Sequence, residues 1–374
     1  MKKKIVQIVR APVGGIRKHI LTIVEGLGSE QFEMFLITNE GHGDKGYQHF
    51  LEENPQFSKN VFNLNIIDKP SFFDVVNLIK IYQFIKVRDV DIIHGHGAKG
   101  GLYARIVGFV LGKTTIYTAH GGSLHRMHGK IKNIVYGLVE KFLYHLTSKL
   151  VFESKYSMIE YERRVHANSN KFHLNYNAIE LPKNFEKLDL KPIDRTKTIT
   201  IGAFGLLRKI KGHDLLIKAA KILISKGISL EVRIFGEGEE RNNLESLAKD
   251  LGISKEVNIY NYTDNIFLEM KSCDIIVHPS HFESFGYVPL EAFVNGVSVV
   301  SSLKGGLSEV MQGGELGFCV KNLDIENLSM AIEECIENEA LRVEKFKKAK
   351  KIISEKFSQE GFLKGIKDIY ICSQ

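Results

Sequence analysis

The sequence KIVQIV at residues 4–9 leads through PVGG at residues 12–15 into a helix-period apolar segment at residues 16–27. The first run predicts a buried strand, the glycines predict a tight loop, and the third segment predicts an amphipathic helix. Further strand-like runs lie at residues 33–38, 91–94, 115–118 and 149–153. Helical segments, such as 73–88 and 101–111, separate them. This alternation predicts a parallel sheet with helices on both faces.

A second series of the same kind follows a polar stretch at residues 181–196 that contains Pro182 and Pro192. Its strand-like runs lie at residues 198–204, 229–235, 257–260, 274–277 and 298–301. We therefore expect an α/β chain of two Rossmann-like doubly wound domains, at residues 1–180 and 197–356, joined by a linker at residues 181–196. In such sheets ligands bind beyond the carboxyl ends of the strands, so functional residues are sought in the loops there.

The composition excludes several classes of protein. The 374 residues are 44% hydrophobic and 25% charged, which is typical of a soluble globular protein. The four cysteines show no C-x-x-C spacing, so neither a zinc ribbon nor a disulfide scaffold is expected. No apolar run reaches the ~18–20 residues of a membrane span. The run after the lysines at residues 2–4 ends at Arg10, too early for a signal peptide, and this predicts a cytoplasmic location.

The net charge of +7 is concentrated in the first half of the chain. Residues 1–180 carry 24 basic and 16 acidic side chains, whereas residues 181–374 carry 27 and 28. This asymmetry favours an anionic partner or surface for the first half, and a mixture of solvated surface charges is the alternative. Nucleic acid is not expected as a partner, because basic and aromatic residues are not interleaved in any recognisable module.

Two glycine-containing loops at predicted strand ends suit an anionic ligand. Gly14 and Gly15 open the first helix, where a ligand can approach the backbone and the helix N-terminus favours an anion. A simple tight turn is the alternative there. The loop GLLRKIKG at residues 205–212 supplies Arg208 and Lys211, a guanidinium fork and a point charge suited to a diphosphate. A solvated basic loop is the alternative at this second place.

Histidines follow two other predicted strands. His120 lies in TAHGG at residues 118–122 and can face a cleft as a hydrogen-bond donor, although a satisfied surface histidine is the alternative. His94 and His96 follow the strand before it. We expect these two imidazoles to project to opposite faces and therefore not to share a metal ion.

The sequence PSHFESFGYVPLEA at residues 279–292 carries the most chemistry. Gly286 and Pro289 mark the point where a loop becomes a helix, whose N-terminal amides favour a phosphate. Glu283 lies in the loop and Glu291 in the helix. The two carboxylates suit either a hydrolase acid and nucleophile pair or acceptors for sugar hydroxyls. The apolar setting of Glu291 argues against two solvated glutamates.

These residues resemble the retaining glycosyltransferases of family 4, which have the GT-B fold. The core of the resemblance is Glu283-x7-Glu291, flanked by CDIIVHPS at residues 273–280, GVSVV at 296–300 and GGLSEV at 305–310. Other loops match in order and spacing: Gly14-Gly15-Ile16-x-x-His19, IHGH at 93–96, TAHG at 118–121 and Lys211-Gly212. The resemblance covers nearly the whole chain, including residues 357–374, which resemble the C-terminal helix that crosses back to the first domain.

The resemblance implies a role for each matching residue. Two Rossmann-like domains would face a central cleft, the first binding the acceptor and the second the nucleotide sugar. The catalytic residues implied are Glu283, His120 and Lys211. The donor-binding residues implied are Gly14, Gly15, Arg208, Lys211, Ser284, Phe285, Gly286, Val288 and Glu291. His19 and His96 are the acceptor-side candidates.

Two positions depart from the family pattern. Leu206 stands where the family usually has an arginine directly after the glycine of the basic loop. Arg208 is the nearby cation that could replace it, although its side chain starts elsewhere on the loop. Ser298 stands where the family usually has a proline.

The resemblance implies a retaining transfer of a sugar from a UDP-sugar to a glycan or polyprenyl-linked acceptor, in the synthesis of a bacterial lipopolysaccharide or capsule. No metal ion and no cofactor are expected, since no D-x-D motif follows a strand and a helix terminus with cations can stabilise the diphosphate. A sugar-nucleotide epimerase of the same fold is one alternative. A non-catalytic partner of another glycosyltransferase is the other, and Leu206 is its only support.

An amphipathic segment at residues 130–146 has a stripe of apolar residues at 134, 135, 138, 139, 142, 143 and 146, flanked by lysines. A core-facing helix is one interpretation. The other is a helix on an anionic membrane surface, which would bring the enzyme to a lipid-linked acceptor as a peripheral protein at the inner face of the plasma membrane.

Overall fold

The computed structural model describes residues 2–28, 31–121, 130–167, 169–261, 263 and 265–372. The chain divides into two compact units. The first is Met1–Ala178 together with Gln359–Gln374, and the second is Ile179–Ser358.

The first unit alternates strands and helices along most of its length. Its elements are β1 (Lys3–Val9), α1 (Gly14–Leu27), β2 (Phe32–Thr38), α2 (Lys45–Glu53), α3 (Pro55–Ser58), β3 (Val61–Asn63), α4 (Phe73–Arg88), β4 (Ile92–His96), α5 (Gly97–Leu111), β5 (Thr114–Thr118), α6 (Lys130–His145), β6 (Lys149–Phe152), α7 (Lys155–Val165) and β7 (Phe172–Leu174).

Within the described residues, the strands of the first unit form one parallel sheet in the order β3-β2-β1-β4-β5-β6-β7. The last five residues of β1 are buried, as expected for a central strand covered on both faces. The strand order reverses between β1 and β4, where Val9 pairs with His96. The loops after these two strands therefore open at the switch point, where doubly wound sheets bind ligands.

The second unit repeats this design. Its elements are β8 (Ile199–Phe204), α8 (His213–Ser225), β9 (Leu230–Phe235), α9 (Arg241–Asp250), β10 (Val257–Tyr260), α10 (Ile266–Ser272), β11 (Ile275–His278), α11 (Tyr287–Val294), β12 (Ser298–Ser302), α12 (Leu307–Val310), β13 (Phe318–Val320), α13 (Ile325–Glu337) and α14 (Glu339–Lys356).

Among the residues described for this unit, the strands are parallel in the order β10-β9-β8-β11-β12-β13. Its core packs β-sheet side chains such as Ile201, Val232 and Val277 against α8 and α13. The strand order reverses between β8 and β11. The basic loop at residues 205–212 and the loop at residues 279–286 therefore meet at the switch point of this sheet.

The final helix, α15 (Gln359–Ile371), belongs to the first unit. Phe362, Ile366 and Tyr370 are buried in the same apolar cluster as α1. A Cβ atom at Gly26 of α1 would lie 2.3 Å from Leu363, so the glycine permits the close approach of the two helices. The segment at residues 357–374 was predicted to return to the first domain, and its positions 373 and 374 lie outside the described residues.

The predicted linker at residues 181–196 lies within the second unit. Phe185 is buried there, and Lys191 donates from its backbone to Gly296 at 2.7 Å. The Lys191 ammonium also donates to the carbonyl of Cys273 at 2.9 Å. This segment is held by the buried Phe185, by the half-buried Ile193 that packs against the core, and by a few polar contacts. These contacts show no regular period in the sequence.

No helix in the described ranges is both long and apolar enough to span a membrane.

Candidate active site

The Glu283 carboxylate is the centre of a polar cluster at the switch point of the second sheet. Its Oε1 atom accepts from Lys211 Nζ at 2.5 Å, from Ser280 Oγ at 2.9 Å and from His278 Nε2 at 3.0 Å. His278 ends β11, and Lys211 ends a 3₁₀ turn after β8. The side chains of Glu283 and Lys211 are only 15% and 21% exposed, so this ion pair is largely shielded from water.

The backbone around Glu283 is fixed by close contacts that only glycine permits. Gly305 has a φ of +67°, and a Cβ atom there would lie 2.2 Å from the Glu283 carbonyl oxygen. Gly306 donates to that same oxygen at 2.8 Å. On the other side, His281 donates to the carbonyl of Ile210 at 2.8 Å and so ties the glutamate loop to the basic loop. The carboxylate and the ammonium are thus held in place by the loops that carry them.

The cluster keeps Glu283 ionised. Burial raises the pKa of the Glu283 carboxyl, but the Lys211 ammonium and the hydrogen bond from His278 lower it by more, leaving the pKa far below its ordinary value. A carboxyl of this kind is a poor general acid and a poor general base at neutral pH. The ion pair and hydrogen bonds therefore argue against Glu283 as the acid of a hydrolase pair.

Helix α11 begins directly after this loop. Gly286 is its N-cap residue with a φ of +108°, and a Cβ atom there would lie 2.4 Å from Leu307. Phe285 is buried and packs edge-on against Phe357. Ser284 and Val288 are half-buried on either side of this start. The first amides of a helix have no partner within it, so the predicted anion-binding geometry is present here.

Glu291 lies one turn into α11 and is 1% exposed. Its neighbours in the helix, Leu290 and Ala292, are fully buried as well. Charged side chains are almost never buried in this way without a specific role or partner.

The predicted second cation of the basic loop points elsewhere. The side chain of Arg208 is 59% exposed, and its Nε atom lies 3.9 Å from the Glu239 carboxylate. Leu206 is 42% exposed, whereas Leu207 is fully buried. Among the described residues, Lys211 is thus the cation of this loop that contacts Glu283, and Arg208 does not join it.

In the first unit, Gly14 and Gly15 open α1 and are exposed. Gly14 has a φ of +53°, with open space where a Cβ atom would lie, and its amide donates to Asp44 at 2.8 Å. Arg17 forms an ion pair with the same carboxylate. The loop is therefore fixed by one aspartate and remains open on its outer side.

His120 follows β5 with a φ of +48°, and its side chain is only 3% exposed. Its Nδ1 atom lies 2.9 Å from Glu153 Oε2, and its Nε2 atom lies 3.0 Å from Nδ1 of His96. Asn177 bridges Glu153 and His19, with contacts of 3.0 Å and 2.6 Å. The structure therefore brings together His19, His96 and His120, which the sequence assigned to two different tasks.

One expectation about the histidines of the first unit is wrong. His94 and His96 were expected on opposite faces of their strand, but their ring centroids are 4.1 Å apart, because residues i and i+2 of a strand share a face. His19 and His96, the acceptor-side candidates, are each about 1% exposed, and their part in acceptor binding stays a prediction.

Three residues of these sites were not singled out by the sequence. Glu153 orients His120, Asn177 orients His19, and His278 donates to Glu283. Glu153 and His278 each stand at the end of a predicted or observed strand, so the strand-end rule could have found them. Asn177 lies in irregular backbone near the end of the first unit, where no pattern marks it.

Comparison with known proteins agrees with this architecture. A family described as "Glycosyltransferase Family 4" matches residues 13–182, and one described as "Glycosyl transferases group 1" matches residues 185–353. Together the two matches run from residue 13 to residue 353 and leave two residues between them. The chain therefore belongs to the family 4 glycosyltransferases, which confirms the predicted family and class of enzyme.

Two curated relatives have names that place them in surface-glycan synthesis. The lipopolysaccharide core biosynthesis glycosyltransferase LpsE of Rhizobium meliloti is 33% identical over 50% of this chain and 51% of LpsE. The capsular polysaccharide biosynthesis glycosyltransferase CapM of Staphylococcus aureus is 24% identical over 93% of this chain and 92% of CapM. The match thus spans about half the length of LpsE and nearly all of CapM.

Among solved structures, Anabaena HepE in complex with UDP and glucose superimposes with a TM-score of 0.81 at 20% identity. The match covers 98% of this chain and 99% of HepE. The prediction of two Rossmann-like domains of the GT-B class is confirmed.

Proposed function

We propose that the protein is a retaining glycosyltransferase that moves a sugar from a UDP-sugar to a glycan or lipid-linked saccharide acceptor. The observation that carries this proposal is the shielded Lys211–Glu283 pair at the start of α11. A nucleotide sugar needs both halves of this arrangement, because the cation and helix terminus suit its diphosphate and the carboxylates suit its hydroxyl groups. The UDP and glucose named for the HepE structure support the choice of donor.

The proposed reaction needs no general acid or general base from the protein. The bond between the sugar C1 atom and the diphosphate oxygen breaks through an oxocarbenium-like state, and negative charge develops on the leaving diphosphate. Lys211 and the amides at Ser284, Phe285 and Gly286 stabilise that charge in the transition state, where fixed donors are most effective. The acceptor oxygen bonds to C1 on the same face, and its proton passes to the departing diphosphate. The products are the glycoside and the nucleoside diphosphate.

The two glutamates hold the donor. Glu283, kept ionised by Lys211 and His278, accepts hydrogen bonds from hydroxyl groups of the transferred sugar. Glu291 accepts from the ribose hydroxyls of the nucleotide. The parts that the family resemblance assigns to Gly14, Gly15 and His120 stay predictions, and no metal ion or other cofactor is part of the proposed chemistry.

A thermal-shift screen of the whole chain against nucleotide sugars tests the donor assignment. A donor that binds only the folded protein stabilises it by about 2.7 kcal/mol at a concentration of 100 Kd. We expect UDP-sugars to raise the unfolding temperature of the wild type and of Glu337→Ala, an exposed glutamate at the end of α13, but not of Glu291→Ala. Equal stabilisation of Glu291→Ala, or stabilisation by GDP-sugars alone, would contradict the assignment.

Product analysis separates the transferase from the epimerase. A transferase consumes the donor at a useful rate only when an acceptor is present and gives a glycoside with the anomeric configuration of the donor. An epimerase converts the nucleotide sugar without any acceptor. Conversion that is unaffected by acceptor would overturn the transferase proposal and leave the donor-binding assignment intact.

We further propose that α6 attaches the protein to an anionic membrane surface that carries the acceptor. The apolar stripe on this helix is turned outward, with Ile134, Leu138 and Phe142 each 63–64% exposed. Lys132 and Lys141 are exposed on the same helix. An outward apolar face flanked by lysines suits the boundary between headgroups and acyl chains.

The inward side of α6 fixes this orientation. Glu140 is buried and accepts a bidentate pair of hydrogen bonds from Arg105, at 2.8 Å and 3.1 Å. The Arg105 guanidinium also lies 3.9 Å from the centroid of the Tyr117 ring. Breaking a buried pair of this kind costs several kcal/mol, so the helix does not easily turn its apolar face inward. The core-facing interpretation therefore holds for Leu143, which is 2% exposed, but not for Ile134, Leu138 and Phe142.

Vesicle flotation tests the membrane proposal with a matched pair of variants. Leu138 on α6 is 64% exposed and Leu268 on α10 of the second unit is 67% exposed. We expect the wild type and Leu268→Glu to float with vesicles of anionic phospholipid at low salt, and Leu138→Glu to remain in the lower fraction. Equal flotation of the two variants, or no flotation of the wild type, would contradict the membrane proposal. Neither result would bear on the assignment of the donor site.

A further inference from the structure

The side chains of His19, His96 and His120, here called the histidine triad, form a compact cluster at the switch point of the first sheet. One ring nitrogen from each lies within 4.8 Å of one from each of the others. All three side chains are buried, with exposures of 1%, 1% and 3%. They come from α1, from the end of β4 and from the residue two places after β5, so the fold rather than local sequence brings them together.

Each imidazole of the triad is tied on its outer side to an oxygen atom. His19 Nδ1 lies 2.6 Å from Asn177 Oδ1, and His120 Nδ1 lies 2.9 Å from Glu153 Oε2. His96 Nε2 lies 2.7 Å from Gln7 Oε1. The Gln7 amide nitrogen donates to the Tyr370 hydroxyl at 2.9 Å, which leaves the Gln7 oxygen as the acceptor for His96.

These outer contacts fix the tautomers. An imidazole that donates through one nitrogen carries a lone pair on the other, so the lone pairs lie on His19 Nε2, His96 Nδ1 and His120 Nε2. The last two atoms are 3.0 Å apart, which is the distance of a hydrogen bond with one proton shared between them. Within the part of the chain that the structure describes, His19 Nε2 has no hydrogen-bond partner. One ring nitrogen from each histidine therefore lies on the inner side of the triad, near the other two.

A proton between His96 and His120 would satisfy one of these contacts and leave His19 Nε2 unsatisfied. A metal ion would satisfy all three nitrogen atoms at once. His94 is not part of this set, because its nitrogen atoms are engaged by the Tyr370 hydroxyl and by Thr118 Oγ1, each at 2.9 Å.

We propose that the histidine triad binds a divalent transition-metal ion of the zinc class, with its fourth position open to water or an oxygen ligand. Three imidazoles with one open position form a common zinc site, and ligand histidines almost always donate their other nitrogen to an oxygen as all three do here. Ligand nitrogen atoms around tetrahedral zinc lie about 3.3 Å apart, so side-chain movements of about 1 Å complete the geometry.

The proposed metal site bears on the predicted role of His120 but does not rest on the proposed function. His120 has one nitrogen available, so an ion bound there removes that nitrogen from the role at the donor sugar that the family resemblance implies. We therefore expect bound zinc to lower the transferase rate and chelation to restore it. The metal measurement needs no donor, and the transferase measurement in chelator needs no metal, so the two proposals can fail separately.

Zinc titration of the chelator-treated full chain, freed of any affinity tag, tests the site by calorimetry and by metal analysis after dialysis. We expect one equivalent of zinc on the wild type and on His173→Gln, a half-buried histidine of β7 outside the triad. His19→Gln should lose this stoichiometric binding. Glu153→Gln, which removes an oriented carboxylate, should weaken it by about 10–100-fold.

Absorption-edge spectroscopy of the zinc-loaded wild type covers the case in which the variants fail to fold. We expect a first shell of nitrogen and oxygen atoms with the multiple scattering of three imidazoles. Sulfur in that shell, no stoichiometric zinc on the wild type, or unchanged binding by a folded His19→Gln variant would each overturn the proposal. If the wild type binds no stoichiometric zinc, a proton shared by His96 and His120 takes the place of the metal ion in the triad.

Discussion

In both units, the loops after the two central strands meet where the strand order reverses, between β1 and β4 in the first and between β8 and β11 in the second. The second unit places a charged pair there, since the Lys211 ammonium touches the Glu283 carboxylate. The first unit places neutral imidazoles there, since burial lowers the pKa of His19 and of His96. The same topology thus carries two different electrostatic designs.

This difference separates what a fold supplies from what its side chains supply. A doubly wound sheet brings loop ends together at one place, whichever residues they carry. A permanent ion pair beside a helix terminus suits a ligand with several negative charges. A set of neutral nitrogen atoms suits a ligand that brings its own positive charge. The predictions below test whether each design depends on the groups named for it.

The largest effect is expected from removing the cation of the charged site. Lys211→Met should lower kcat by about 10²–10³-fold, the usual cost of losing one fixed group that stabilises charge in a transition state. Lys218→Met is the matched control, because Lys218 pairs with Asp214 at 3.3 Å on α8, away from the site, where the two side chains are 35% and 34% exposed. Initial rates at saturating donor and acceptor measure both variants. A Lys211→Met variant that keeps more than a tenth of the wild-type kcat would show that the charged site is not where the diphosphate leaves.

The next effect concerns stability and its dependence on pH. Glu283→Gln should destabilise the second unit by about 3 kcal/mol at neutral pH, because it leaves the shielded Lys211 ammonium without its carboxylate. The folded-state pKa of Glu283 lies below the ordinary value of 4.5, so the wild type has this stabilisation above pH 4.5 and loses it as the pH falls further. The difference in free energy of unfolding between the wild type and Glu283→Gln should therefore become smaller as the pH falls below 4.5.

Hydrogen exchange of peptides from residues 179–358 measures this difference in stability for the second unit alone. Glu245→Gln on the exposed side of α9 serves as the control and should leave the exchange rates unchanged at every pH. A difference that stays constant between pH 7 and pH 3.5 would mean that the pair does not set the stability of its surroundings.

Much of the fold follows from the sequence, because buried strands and amphipathic helices have recognisable periods. The segment 73–88 was predicted as a helix with the bounds that α4 has. The short elements α3 and β3 and the strand β7 were not predicted, because three or four residues are too few for a period. The segment 181–196 was predicted as a linker because its single buried anchor, Phe185, leaves no pattern.

The candidate sites were predictable in part. Strand ends and glycines led to Glu283, Lys211 and His120, since the chain itself marks such positions. The partners that decide the chemistry come from distant segments, as Asn177 reaches His19 across 158 positions of sequence. Such contacts depend on packing in three dimensions, and one sequence carries no record of them.

A smaller effect tests the neutral site. Tyr370 is fully buried, and its hydroxyl bonds to Gln7 Nε2 and to His94 Nδ1, each at 2.9 Å. Tyr370→Phe leaves both partners without this contact and should lower the free energy of unfolding of the first unit by about 1–3 kcal/mol. Tyr260→Phe removes a hydroxyl from a tyrosine that is 42% exposed and should change stability by less than about 0.5 kcal/mol. Equal losses in denaturant titrations of the two variants would show that the buried network does not support the neutral site.

The smallest effect is expected at Arg208, and it decides how many cations the charged site has. The Arg208 guanidinium is directed toward Glu239 at 3.9 Å and the side chain is 59% exposed, whereas Lys211 touches Glu283. An exposed ion pair contributes little, so Arg208→Ala should change kcat by less than about threefold. Leu206→Arg restores the arginine usual in this family, one residue from the turn glycine, and should instead lower the KM for the donor. If Arg208→Ala loses as much activity as Lys211→Met, then Arg208 turns to the diphosphate when the donor binds, and the charged site works with two cations rather than one.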